Sequence, residues 1–184
     1  MMTAVRERLL KLVDEKAVVR GEVTLASGRT SNFYIDGKRV TLDPEGSDLL
    51  AGVLVELCRL HGATAIGGPM IGADPIAGAV AAKSHQADYP VKGFIVRGRE
   101  KQHGMQKRIE GPPLSDEDRV VLVDDVITTG GSVLKTIEAI RETGAVIVCC
   151  TCLVDREQGG REALEEAGIP YEPVFRRSEL DLPS

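Results

Sequence analysis

The sequence predicts an α/β fold: a central, mainly parallel sheet flanked by helices, with a small hood near the N-terminus. Three observations predict it. From residue 44 onward, short apolar runs alternate with helical stretches, the pattern that builds β-α-β units. Runs such as Val120 to Val123 are continuously apolar, which suits strands buried on both faces. Before residue 44 the pattern breaks into short alternating pieces punctuated by Gly21, Ser27-Gly28 and Gly37. Residues 18–42 therefore read as short antiparallel strands forming the hood.

Taken in order, residues 3–16 fit an amphipathic helix with Val5, Leu9, Leu12 and Val13 on one face. Asp43-Pro44 marks a helix start, with Asp43 as N-cap and Pro44 at the first helical position. That helix runs to about His61 and stops at Gly62. Ala65 to Gly68 is a short strand ending in Gly67-Gly68-Pro69. A glycine-rich turn follows, Met70 to Asp74, and then a helix from Pro75 to about Ser84. Val91 to Arg97 reads as a strand. Residues 98–115 carry no apolar period and read as a long, charged, mobile loop, a kind of segment that in a compact domain is usually functional or disordered. After the Val120 to Val123 strand, a helix over 131–143 ends at Gly144. Val146 to Val154 is a strand, and Gly160 to Ala167 a helix ending at Gly168. Tyr171 to Phe175 is the last strand, and Arg176 to Ser184 a short cap. With no internal repeat, linker or low-complexity segment, residues 1–184 read as one domain.

Composition narrows the function classes. The 184 residues suit a domain with a sizeable core. A net charge of −5 argues against binding nucleic acid through a basic surface. No apolar run approaches the length of a membrane span, and the first residues lack the apolar core of a signal peptide. The expected compartment is the cytoplasm. Of the four cysteines, Cys149, Cys150 and Cys152 lie in one apolar run, with Cys150 and Cys152 on one strand face and Cys149 on the other. No His lies near them in the sequence, so they and Cys58 read as small buried hydrophobes rather than metal ligands.

The chemistry concentrates in residues 119–132. The strand ends in two adjacent acids, Asp124 and Asp125, and a turn rich in hydroxyls and glycines follows, Thr128-Thr129-Gly130-Gly131-Ser132. Backbone N–H groups of such a turn and of the helix behind it can hold a phosphate. Carboxylates at a strand end lie where open α/β sheets bind ligands. The string is neither a Walker loop, since no Gly-Lys-Ser/Thr ends it, nor a dinucleotide fingerprint. Three more segments suit the same chemistry. Arg97, Arg99, Lys101, His103, Lys107 and Arg108 form a dense cationic patch that can close over a site and neutralise a leaving anion. Phe33-Tyr34 follows a Ser-Gly turn and pairs two of only six aromatics, a surface on which a flat heterocycle could lie. Arg156, after Asp155 at a strand end, could clamp a planar carboxylate through its fork.

The acid-and-glycine string resembles the phosphoribosyl-pyrophosphate (PRPP) motif of the type I phosphoribosyltransferases. The resemblance to the orotate-using members extends over Ser27-Gly28-Arg29 to Tyr34, Gly67-Gly68-Pro69 with Gly72-Ala73-Asp74-Pro75, Lys101-Gln102-His103-Gly104, Asp124 to Ser132 and Asp155-Arg156. It implies the type I phosphoribosyltransferase fold and transfer of phosphoribosyl from PRPP to N1 of orotate. The products would be orotidine 5′-monophosphate and pyrophosphate, in pyrimidine synthesis. By the same resemblance Thr128, Thr129, Gly130, Gly131 and Ser132, with Val126 and Ile127 leading into them, hold the 5′-phosphate. Asp124 and Asp125 bond the ribose hydroxyls, while Arg97, Lys101 and His103 meet the pyrophosphate. Asp124, Asp125, Lys101 and His103 are the implied catalytic groups. Phe33, Tyr34, Thr128 and Arg156 contact orotate, with Arg156 on its carboxylate. Mg²⁺ is expected as cofactor, held mainly through PRPP rather than by a protein cage. A homodimer sharing the mobile loop across its interface is also implied.

The chain departs from that pattern at Gly98, where the family usually has Lys, with Arg99 one residue further on. It also has Ala26 where some members carry Lys. Two other readings stay open: a phosphoribosyltransferase for another base, and a PRPP-sensing regulator without catalysis.

Overall fold

A computed structural model describes residues 2–24, 30–98 and 108–182. The Ser27-Gly28-Arg29 turn, Ala26, Arg99, Lys101, Gln102, His103, Gly104 and Lys107 lie outside the described residues.

Helix α1 (Met2–Leu12) buries Leu9 and Leu12, then loosens into a π-type turn, Val13–Ala17, instead of continuing to residue 16. The looser turn still buries Val13 and Ala17, so the apolar face outlasts the α-helix. Strands β1 (Val18–Thr24) and β2 (Thr30–Ile35) pair antiparallel and make the hood. The hood is not wholly extended: Lys38–Thr41 forms a short helix, α2. Helix α3 (Pro44–His61) starts and stops where its caps dictate. The Asp43 carboxylate accepts from the backbone N–H groups of Glu45 and Gly46, and Gly62 closes the helix in the left-handed region at φ 60°.

Six strands form the main sheet in the order β5-β4-β3-β6-β7-β8. These are β3 (Ala65–Pro69), β4 (Lys92–Val96), β5 (Ile109–Glu110), β6 (Arg119–Ile127), β7 (Val146–Asp155) and β8 (Phe175–Arg176). All neighbours are parallel except β4 and β5. Helices α4 (Ala73–Gln86), α5 (Gly131–Arg141) and α6 (Gly160–Glu166) complete the α/β layers. Two apolar clusters fill the two faces of the sheet. Val121, Val123 and Cys149 join the cluster under α1, α3 and α4, while Val120, Leu122, Cys150 and Cys152 join the one with α5. The strand alternation of the three cysteines is as the sequence implies, and all four cysteines are buried and free.

The structure corrects three expectations. The stretch 98–115 is not all loop, since Ile109 and Glu110 add a strand antiparallel to Val96 and Ile95. The acids do not end their strand. β6 runs on to Ile127 because Val126 and Ile127 still pair with Val154 and Asp155, so both carboxylates project from within the ladder. The last strand is interrupted. Tyr171 makes only an isolated bridge to Cys150 before β8 begins at Phe175, although the N–H groups of Glu172 and Val174 on either side of Pro173 still donate to the Cys150 and Cys152 carbonyls.

Sheet order reverses between β3 and β6, a topological switch point of the kind that holds ligands in open α/β sheets. β3 is pressed tightly there. A Cβ on Gly68 would sit 2.0 Å from the Val123 carbonyl oxygen. Gly68→Ala is therefore expected to cost about 3 kcal/mol, the upper end of the overpacking range, read as a lowered urea midpoint.

Candidate active site

The ends of β3, β6 and β7 bring the predicted groups to one edge of the sheet. Asp124 and Asp125 are both buried, at 8% and 7% exposure. The Asp125 N–H donates to Asp124 Oδ1 at 2.9 Å. Two backbone turns wrap the pair. A Cβ on Gly72, in the turn after β3, would come within 2.0 Å of Asp124 Oδ1 and 2.4 Å of Asp125 Oδ1. A Cβ on Gly37, from the hood, would meet the Asp125 Cβ at 2.9 Å. Only glycine lets these two backbones lie against the acids.

Two adjacent carboxylates with little water cannot both ionise cheaply. Burial first, and then the charge of Asp125, push the Asp124 carboxyl well above the usual carboxylate range. Asp125 finds a counter-ion in Lys38 of α2, whose Nζ lies 3.1 Å from Asp125 Oδ2 and 3.2 Å from Asp36 Oδ1. Partial burial pulls the Lys38 ammonium down, but the hydrogen bonds and charges of Asp125 and Asp36 outweigh it and leave its pKa raised. Lys38 is the site residue that sequence reading missed. Its signal was present, since Asp36-Gly37-Lys38 directly follows Phe33-Tyr34.

Beyond the acids the chain turns sharply. Gly130 takes the left-handed region at φ 77° and caps α5, so residues 128–132 curl around the helix N-terminus. Residues 126–133 and Asp124 line a small cavity of about 90 Å³. Its size, backbone N–H groups and helix dipole suit a single tetrahedral anion.

Arg156 follows β7, its N–H bonded to the Ile127 carbonyl at 2.8 Å. Its side chain is buried, and Nε makes no hydrogen bond. Among the described residues it is paired with no acid. Burial, then the neighbouring charge of Arg177, hold its pKa below the usual arginine value. Phe33, on the buried face of β2, lies under both guanidinium groups, with Cζ-to-ring distances of 5.9 Å for Arg156 and 5.4 Å for Arg177. Tyr34 points the other way and is 38% exposed. Arg97 stands just past β4, two strands from the acids, where Nη1 meets Glu110 Oε1 at 3.2 Å. The edge thus joins an anion-binding turn, an acid pair and an unpaired guanidinium beside an aromatic ring.

Comparison with known proteins places this architecture. The phosphoribosyl transferase domain family matches residues 49–167. The orotate phosphoribosyltransferase of Rhodopseudomonas palustris (strain BisB5) is 44% identical over 181 residues, 97% of each chain. The chain belongs to the orotate phosphoribosyltransferase family. Solved relatives agree in three dimensions. The Mycobacterium tuberculosis H37Rv orotate phosphoribosyltransferase, in complex with Fe(III) dicitrate, superposes with a TM-score of 0.86 at 38% identity, covering 97% of this chain and 99% of that one. The crystal structure of the same enzyme with PRPP gives 0.82 at 35% identity with the same coverage. The type I phosphoribosyltransferase fold read from the sequence is the fold observed.

The buried acid pair has a thermodynamic signature. A carboxyl whose folded pKa is raised contributes stability that is complete below its unfolded value, about 3.9, and lost as pH rises through the folded pKa. Asp124→Asn removes that titration and can still accept from the Asp125 N–H. The variant is expected to melt above the wild type, by a margin larger at about pH 9 than at about pH 5, measured by differential scanning calorimetry.

Proposed function

We propose that this protein transfers the phosphoribosyl group of PRPP to N1 of orotate, releasing pyrophosphate and forming orotidine 5′-monophosphate in pyrimidine synthesis. The observation that carries the choice of base is Arg156. A buried guanidinium with no acid partner is costly unless an anion arrives, and its planar fork matches the orotate carboxylate. The Phe33 ring beside it gives the flat base an apolar neighbour.

In this reading the 5′-phosphate sits in the turn from Thr128 to Ser132, against the N-terminus of α5. The ribose hydroxyls face Asp124 and Asp125. As the C1–oxygen bond to pyrophosphate breaks, positive charge grows on the ribose ring, and the acid pair stabilises it from the hydroxyl side. Orotate N1 forms the new bond to C1 from the opposite face, so the configuration inverts. Lys38 is the counter-ion of Asp125 in the free site. Arg97, with Lys101 and His103 of the loop, neutralises the leaving pyrophosphate, and Gly98 leaves that work to its neighbours. The two carboxylates are hard oxygen donors that fit Mg²⁺. When bound with PRPP, Mg²⁺ would supply charge neutralisation on the pyrophosphate, held mainly through PRPP, and Asp124 and Asp125 are the residues that would help to hold it. A homodimer sharing the loop and a cytoplasmic location complete the proposal. None of the helices described is long and apolar enough to cross a membrane.

The deciding experiment follows orotate absorbance after purified protein is mixed with orotate, PRPP and Mg²⁺. Loss that requires all three is expected. Absence of loss while PRPP still binds by calorimetry would favour another base or a PRPP sensor. Asp125→Asn should lower turnover with little effect on folding. Arg156→Ala is expected to raise the KM for orotate roughly tenfold to hundredfold, the worth of about 1.5–3 kcal/mol for a charged hydrogen bond, and to leave the KM for PRPP nearly unchanged. Equal effects on both would remove Arg156 from the base site.

A further inference from the structure

We propose that His61, Cys149 and Glu172 form a binding site for a transition metal of the zinc class, at the end of the sheet opposite the anion-binding turn. The three residues come from separate elements: the last residue of α3, the fourth residue of β7, and the link between the Tyr171 bridge and β8. Their ligand atoms all lie within 4.8 Å of one another. Zinc bonds of 2.0–2.3 Å in a tetrahedron put neighbouring ligand atoms about 3.3–3.8 Å apart. The His61–Glu172 pair is already 3.0 Å apart, so the cluster needs an inward shift of about 1 Å at most in the contacts to Cys149, within the reach of side-chain rotamer changes.

The simplest alternative is a surface His–Glu ion pair that happens to lie over a buried thiol. One detail speaks against it. His61 Nε2 is only 3.0 Å from Glu172 Oε1, yet it is buried and makes no hydrogen bond. The ring nitrogen is thus not satisfied by Glu172 and remains uncommitted beside the Cys149 thiol. The backbones that carry them are fixed. Arg119 donates to the His61 carbonyl from Nη2 at 3.0 Å, and the Glu172 N–H donates to the Cys150 carbonyl at 2.9 Å. Cys149 is fully buried, so an ion enters from the side where Glu172 faces water, and a water molecule on that side completes the coordination.

The ligand chemistry sets the class of ion. Thiolate with imidazole favours Zn²⁺ and its neighbours in the transition series over Mg²⁺ or Ca²⁺. Binding replaces the Cys149 thiol proton, which leaves to solvent. The ion would tie the end of α3 to β7 and to the lead-in of β8. Sequence reading dismissed metal binding because no His lies near the cysteines along the chain; the fold closes a gap of 88 residues.

The test uses the full chain, stripped with a chelator and titrated with Co²⁺. Expected are one equivalent bound, an intense near-ultraviolet thiolate-to-cobalt band, and visible bands of tetrahedral cobalt. Zn²⁺ should displace them, and a large excess of Mg²⁺ should not. Cys149→Ser should abolish the thiolate band. His61→Ala, at the end of α3, and Glu172→Gln, at a half-exposed side chain, should each weaken binding at least tenfold while leaving the far-ultraviolet circular dichroism unchanged. Zn²⁺ should raise the Tm of the wild type and not that of His61→Ala. A missing thiolate band, a band unchanged in both His61→Ala and Glu172→Gln, or displacement by Mg²⁺ would overturn the proposal.

Discussion

Two carboxylates placed side by side in a buried strand are the constraint around which this site is built. A parallel strand at the sheet centre gives almost no water to Asp124 and Asp125, so their mutual repulsion has to be met by the protein. Burial and the charge of Asp125 raise the pKa of Asp124, and Lys38 faces Asp125 as its counter-ion. Gly72 and Gly37 then bring two backbones against the pair where any side chain would collide with it. The turn after β3, the hood and the sheet centre are thereby fixed relative to one another by one local electrostatic problem.

The opposite imbalance lies at Arg156. There a cation, not an anion, is buried without an acid partner among the described residues, and a second guanidinium, Arg177, crowds it further. Folding that buries this cation stores a preference for an anionic ligand, and a planar carboxylate matches its fork. The Phe33 ring lies beside both guanidinium groups and gives that side of the cleft an apolar surface.

Much of this was legible in the sequence because the signals were local. Asp43-Pro44 and Gly62 fixed α3 by hydrogen bonding that involves only neighbouring residues. The continuous apolar runs located β3, β4, β6 and β7, and the acid-and-glycine string located the turn at α5. What escaped depended on partners far away in the chain. The two-residue strand β5 has no pattern of its own and exists because β4 offers an edge. Lys38 reads as one more surface cation until Asp125, 87 residues later, comes within 3.1 Å. The meeting of His61 with Cys149 is likewise a product of helix packing on the sheet, with no trace in local spacing.

The hood is held down from an unexpected direction. Arg6 of α1 reaches the Val174 carbonyl and the Glu179 carboxylate, across separations of 168 and 173 residues, and Arg177 lies over Phe33. The Asp181 N–H donates to Asp14, and Arg20 donates back to the Asp181 carbonyl. The Phe33 side of the cleft is thus clasped by residues far along the chain. β8 lies within the same stretch, so the one segment around 174–181 both closes an edge of the sheet and seats the Phe33 ring, and whatever loosens it loosens both together.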